Sequence, residues 1–240
     1  MTRTVPLYPA GTGRATHTWT LLLALSIASL GLVSVVDNAA YAVYAMLNGQ
    51  DPQAMTRVAQ GAARHVFLWL IEARVTSCCV CALLAVITRR LVGPPATATH
   101  ASWRAPGMVS AFWLAGTLVA IYGMSVFVPP LPRSVDVAAF LGFGLLAEEL
   151  LFRGSLFALA TRVLPTRPAI VIGWTAVLFS LQHLQYHHFQ LGTHAATQLA
   201  YTLPLGLVLG YVRVKTQRLW PSVAVHVLNN ALAVGRAILP

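Results

Sequence analysis

Six acidic residues occur in the 240-residue chain, and two of them are adjacent, Glu148 and Glu149. They lie in an apolar run that begins at Phe140 and is closed by Arg153. On a helix Glu149 and Arg153 are four positions apart, on one face and with the acid first, the order that favours a pair. Glu148 points about 100° away from Glu149 and must meet another neighbour. A second signal is Phe179-x-x-x-His183, and a third is His226-x-x-x-Asn230, whose two polar residues again share one helix face. On local sequence alone, Glu148, Glu149 and Arg153 could form a purely structural ion network, and a single histidine in an apolar helix is ordinarily a satisfied core residue. Three such groups on three apolar segments are a rarer combination. Groups in hydrocarbon surroundings need each other or water, so one shared polar cavity accounts for all of them.

Such a cavity holds the parts for hydrolysis. A carboxylate taken partly out of water is a competent general base. A neutral histidine can hold the water or bind a metal, and Glu148, His183 and His226 are all zinc-type ligands. The Asn230 amide can donate to the oxyanion of a tetrahedral intermediate. Arg153 keeps Glu149 ionised and ties down the helix.

The elements that must position these residues are apolar helices. Hydrophobic residues make up 57% of the chain and charged residues 9%, against about 25% charged in a soluble domain. The apolar residues fall in repeated long runs, without the short alternating strands of a barrel. The expected fold is an all-α polytopic transmembrane bundle of about seven spans (six to eight), at 18–46, 65–88, 107–128, 135–161, 168–188, 195–213 and 219–238. Asp37 and Asn38 are expected to interrupt the first. A polar tail at 1–17, N-terminal spans over 18–130 and a catalytic core over 131–238 make up the expected organisation. The first apolar run is long for a signal peptide and is read as a retained span.

The net charge of +10 does not imply nucleic-acid binding, because the basic residues lie between apolar runs rather than on an aromatic-lined stripe. Arg3, Arg14, Arg89, Arg90, Arg104, Arg162, Arg167, Arg213, Lys215 and Arg218 fall on the side of the N-terminus, and few fall opposite, which places the N-terminus in the cytoplasm. Cys78, Cys79 and Cys81 share one run and fit no zinc or disulfide pattern, so they are read as packing residues. Gly206-x-x-x-Gly210 is read as a close-packing site, and Trp19, Trp103, Trp174 and Trp220 as interfacial anchors. His187, His188 and His194 are read as a solvated loop.

Glu-Glu-x-x-x-Arg at 148–153, Phe-x-x-x-His at 179–183 and His-x-x-x-Asn at 226–230, in this order on successive apolar segments, resemble the CPBP family, which groups type II CAAX-processing proteases with bacteriocin-processing or self-immunity (Abi) membrane proteins. The resemblance covers about residues 135–235. It implies an all-helical intramembrane endopeptidase acting on a membrane-associated protein or peptide, with processing of a CAAX-type or leader-peptide substrate at the cell membrane. By matching positions, Glu148 activates the water, His183 helps to hold it, His226 lines the site and Asn230 stabilises the oxyanion. Glu149 and Arg153 support the first motif. The family is often labelled metalloprotease, but the resemblance implies a glutamate-type mechanism with no obligatory cofactor, zinc being the alternative. The bilayer and a membrane-associated substrate are the expected partners. Two other function classes remain open to the same residues: a non-catalytic immunity or scaffolding protein, and a proton-coupled transporter, for which no inverted repeat is visible.

Overall fold

The computed structural model describes residues 12–45, 74–92, 103–120, 139–184 and 191–238. Among these residues there are seven helices and no strand: α1 (Thr12–Ala45), α2 (Val75–Val92), α3 (Arg104–Leu118), α4 (residues 139–163), α5 (Pro168–Gln182), α6 (Thr193–Thr216) and α7 (Trp220–Ile238). The helix ends carry the expected signals. Pro168 begins α5, where a missing N–H costs nothing. Gln217 closes α6 in the left-handed conformation (φ 54°), and Arg213 and Lys215 in its last turn sit well with the helix dipole. Arg89 and Arg90 do the same for α2.

Several expected boundaries differ. Asp37 and Asn38 lie inside α1, which runs unbroken from Thr12 and takes in part of the polar tail. A helix satisfies its own backbone whatever the side chains do, so two polar residues need not break it. His183 stands at the C-cap of α5 rather than within the helix. Residues 65–73 and 121–138 of the expected second, third and fourth spans, and 185–190 with His187 and His188, lie outside the described residues. Of the helices, the Ala195–Thr216 segment of α6 is long and apolar enough to cross a membrane by length and composition alone, while Leu22–Val36 and Pro168–Gln182 are shorter apolar segments.

Helix α4 is the hub, touching α1, α2, α5, α6 and α7. It is also irregular. Gly142 leaves helical geometry (φ −112°, ψ −114°), and Leu150–Leu156 is π-helical. Wide turns of this kind disturb the backbone ladder and recur at functional sites; here the disturbed turn follows the two glutamates and carries Arg153. The core beneath it is built from Leu151, Phe152, Phe179, Leu205 and Leu209.

The closest helix pairing is α5 with α6, and glycine makes it possible. A Cβ on Gly206 would stand 3.0 Å from Ala176 Cα, and one on Gly210 would stand 3.1 Å from Ile172 Cγ2. Gly206→Ala is therefore expected to destabilise the protein by about 1–3 kcal/mol through overpacking. Gly173 on α5 has nothing within 4 Å of its would-be Cβ, so Gly173→Ala should be neutral or mildly stabilising. Thermal unfolding of the two variants in detergent checks the contrast.

Candidate active site

The two adjacent glutamates have different surroundings. Glu149 is fully buried, and its Oε1 accepts from Arg153 Nη1 at 3.0 Å and from His226 Nδ1 at 2.9 Å. Arg153, equally buried, also donates Nη2 to the Gly206 carbonyl at 3.4 Å. Its guanidinium lies 4.3 Å from the centre of the Phe179 ring, a cation–π contact that a water-excluding environment strengthens. Glu148 keeps 17% of its side-chain surface accessible, and its Oε2 lies 3.9 Å from His226 Nε2. That distance is too long for a direct hydrogen bond. Glu148 also lines a cleft between α1, α2, α4 and α5.

The histidines are oriented by their first nitrogens. An ionised Glu149 can only accept, so His226 donates Nδ1–H to it, and in the neutral ring Nε2 is left with its lone pair toward Glu148. His183 places Nδ1 2.8 Å from the Phe179 carbonyl, so that nitrogen donates as well and Nε2 becomes the acceptor. Both rings meet Phe179 edge to face, at 4.9 Å for His183 and 5.7 Å for His226. The phenyl ring thus joins Arg153, His183 and His226 in one packed unit. Glu148 is close enough for its charge to act on His183.

Asn230, half-buried on α7, bonds to a neighbour that its motif does not contain. Asn229 Nδ2 donates to Asn230 Oδ1 at 3.3 Å, which turns the NH2 end of the Asn230 amide the other way. Asn229 is itself 2% exposed, and its Oδ1 accepts from Tyr201 OH at 2.7 Å, Trp113 Nε1 at 3.0 Å and Thr117 Oγ1 at 3.4 Å. Reading by motif missed Asn229, Tyr201 and Trp113. The signal available was weak: a second amide beside Asn230, and hydrogen-bonding aromatics in apolar helices. Asn229→Ala strands three donors, and each buried unsatisfied group costs about 1–3 kcal/mol. The variant should melt well below wild type, while Thr117→Ala, which removes the longest of the three bonds, should shift the melting point little.

The structure therefore brings Glu148, Glu149, Arg153, His183 and His226 into one cluster; Asn230 stands one turn beyond His226 on α7, bonded to Asn229. Among the described residues no group of three or more His, Cys, Asp or Glu side chains has the arrangement of a metal site, and this applies to Glu148, His183 and His226. Cys78, Cys79 and Cys81 are free thiols.

Residues 129–232 match the family model described as type II CAAX prenyl endopeptidase Rce1-like. The match covers less than half of the chain and says what this segment is similar to. The match bears out the family resemblance carried by the three motifs, all of which fall inside it. The family is a membrane-embedded protease family of the CAAX type. No curated protein and no solved structure matches the chain. The matched segment takes in α4 to α7 up to Leu232, and with them every residue of the cluster.

Proposed function

We propose that the protein is an intramembrane endopeptidase that cleaves a membrane-associated protein or peptide of the CAAX type with water activated by Glu148. The observation that carries this reading is the division of labour between the two glutamates. Glu149 is consumed by Arg153 and His226, whereas Glu148 faces a cleft with His226 Nε2 beside it. A water held by Glu148 and His183 gives up a proton to the Glu148 carboxylate as its oxygen attacks the substrate carbonyl carbon. The carbonyl electron pair moves onto oxygen, and the Asn230 amide donates to that oxyanion. Collapse of the intermediate breaks the C–N bond, and the proton held by Glu148 passes to the leaving amine. His226, fixed by Glu149, lines the site and carries the order of the buried pair to the water. The reaction needs no resident metal, and zinc remains the rival assignment for Glu148, His183 and His226.

The membrane setting is supported by surface and ends alike. Phe112 is 82% exposed, Leu91 79%, Met108 68% and Val35 66%; a soluble monomer rarely shows so much apolar surface, and lipid accommodates it. Trp103 stacks on Trp220 at 5.4 Å, and Trp19 meets Trp174 at 6.2 Å. These pairs bring the N-terminal parts of α1 and α5, and of α3 and α7, to common levels, as alternating spans require. Arg89 at the end of α2 is close enough to act on Arg213 near the end of α6. That shared cationic end belongs in the cytoplasm by the positive-inside rule, with the protein in the cell membrane.

The test is cleavage of a quenched-fluorescent peptide library by purified wild type and Glu148→Ala, each with and without a chelator. Cleavage by wild type alone, undiminished by chelator, is the expected outcome. Loss with chelator would move the water onto a metal, and equal cleavage by Glu148→Ala would overturn the reading.

A further inference from the structure

The amide of Asn230 has two ends, and only one of them can serve the reaction. Its NH2 donates to an oxyanion, whereas its carbonyl oxygen would repel one. The two ends are nearly alike in shape, so packing hardly separates the two senses, and hydrogen bonds must choose between them. Asn230 stands one turn beyond His226 on α7, on the same helix face. Its neighbour Asn229, 2% exposed, reaches Trp113 and Thr117 on α3 and Tyr201 on α6 instead.

Those three groups meet Asn229 at Oδ1, the Tyr201 hydroxyl at 2.7 Å, Trp113 Nε1 at 3.0 Å and Thr117 Oγ1 at 3.4 Å. The two hydroxyls can donate or accept and would suit either end of an amide. The indole N–H can only donate, so the atom it meets is the oxygen. The Trp113 ring is packed against the Tyr201 ring at 5.8 Å. With Oδ1 fixed there, Nδ2 lies on the other side of Asn229, where it donates to Asn230 Oδ1 at 3.3 Å. One NH2 cannot receive another, so Asn230 presents its oxygen to Asn229 and turns its own NH2 away. A single indole N–H thus sets the sense of two amides in series.

We propose that Asn229 and Trp113 are positioning residues that hold the Asn230 amide with its NH2 end toward the reacting carbonyl. The inference rests on the peptidase reading and on the oxyanion role of Asn230 within it, and adds the groups that fix the polarity of that donor. Trp113 lies on α3, outside the matched segment 129–232, so a helix that carries none of the motifs takes part in turnover. A donor already oriented needs no rearrangement as negative charge develops. Its effect therefore falls on the transition state and leaves substrate binding unchanged.

The experiment measures kcat and KM of the full chain in detergent on a quenched-fluorescent peptide, with a melting curve for each preparation. Asn230→Ala removes the donor and should lower kcat by roughly 100- to 1,000-fold with KM unchanged. Asn229→Asp keeps an oxygen for Trp113, Thr117 and Tyr201 and puts a second oxygen where Nδ2 was, so Asn230 turns its NH2 back toward it. Its kcat should fall by a similar factor, with KM and the melting temperature near wild type. Added to Asn230→Ala, Asn229→Asp should cost nothing further, because residues that act through one group are not additive. Trp113→Phe releases the amide without reversing it and should lower kcat only about twofold, since half of the molecules keep the productive sense. Wild-type kcat in Asn229→Asp or in Asn230→Ala overturns the positioning role and leaves the peptidase standing. So does a loss in Asn229→Asp that adds in full to that of Asn230→Ala, or an Asn229→Asp protein that melts far below wild type. Wild type that cleaves no peptide overturns the peptidase reading, and this inference with it.

Discussion

Glu148→Ala is expected to lower cleavage by roughly a hundred- to ten-thousand-fold, the contribution of a positioned general base, and to leave the melting temperature in detergent close to wild type. The structural argument concerns what Glu148 does not do. It keeps 17% of its side chain accessible, and its nearest ion-pair partner, His226 Nε2, stands at 3.9 Å. Removing it strands no buried donor, and the small wall of Gly144 and Ala147 needs no prop from its side chain. A large activity loss at unchanged stability is the signature of a residue that acts on the substrate. Cleavage rates of a fluorescent peptide and melting curves on the same preparation give both numbers. A variant that unfolds would show that Glu148 is structural, and one that still cleaves would move the base elsewhere.

Glu149→Ala should do the reverse in its cause, though its activity also falls. Glu149 and Arg153 are both fully buried and bonded at 3.0 Å, and breaking a buried pair by removing one partner costs about 3–5 kcal/mol because the other charge is left uncompensated. His226 loses its anchor at the same time. Glu149→Ala and Arg153→Ala should therefore each melt far below wild type or fail to accumulate in membranes. A double variant, Glu149→Leu with Arg153→Leu, should recover a large part of the lost stability, since replacing both charges removes the stranded one; it should not recover cleavage, because nothing then fixes the His226 tautomer. Equal stability of the single and double variants would show that the pair is not coupled. The contrast between two neighbouring glutamates, one needed for turnover and one for the fold, is the sharpest statement that the geometry makes.

Much of this was legible in the sequence. The all-helical class followed from long apolar runs and scarce charge, because a chain in lipid must satisfy its backbone within each segment. The Glu149–Arg153 pair followed from i,i+4 spacing, which helix geometry alone enforces, and the three motifs in order were enough to resemble the family that residues 129–232 match. The close approach at Gly206 was likewise readable from small residues four apart.

Contacts between helices were not readable, because sequence separation says nothing of which faces meet. Only the fold set His226 Nδ1 on Glu149 rather than on Glu148, 77 positions from its own place in the chain, and that choice decides which glutamate is left for the water. Only the fold turned Phe179 into a ring shared by Arg153, His183 and His226. Asn229, bonded to Trp113 and Thr117 more than a hundred residues away, carries no local mark that separates it from its neighbour Asn230. Spacing along one helix is fixed by covalent geometry and hydrogen bonding, and a sequence can state it; the side chains that complete a site across helices are chosen by packing, which only the assembled bundle decides.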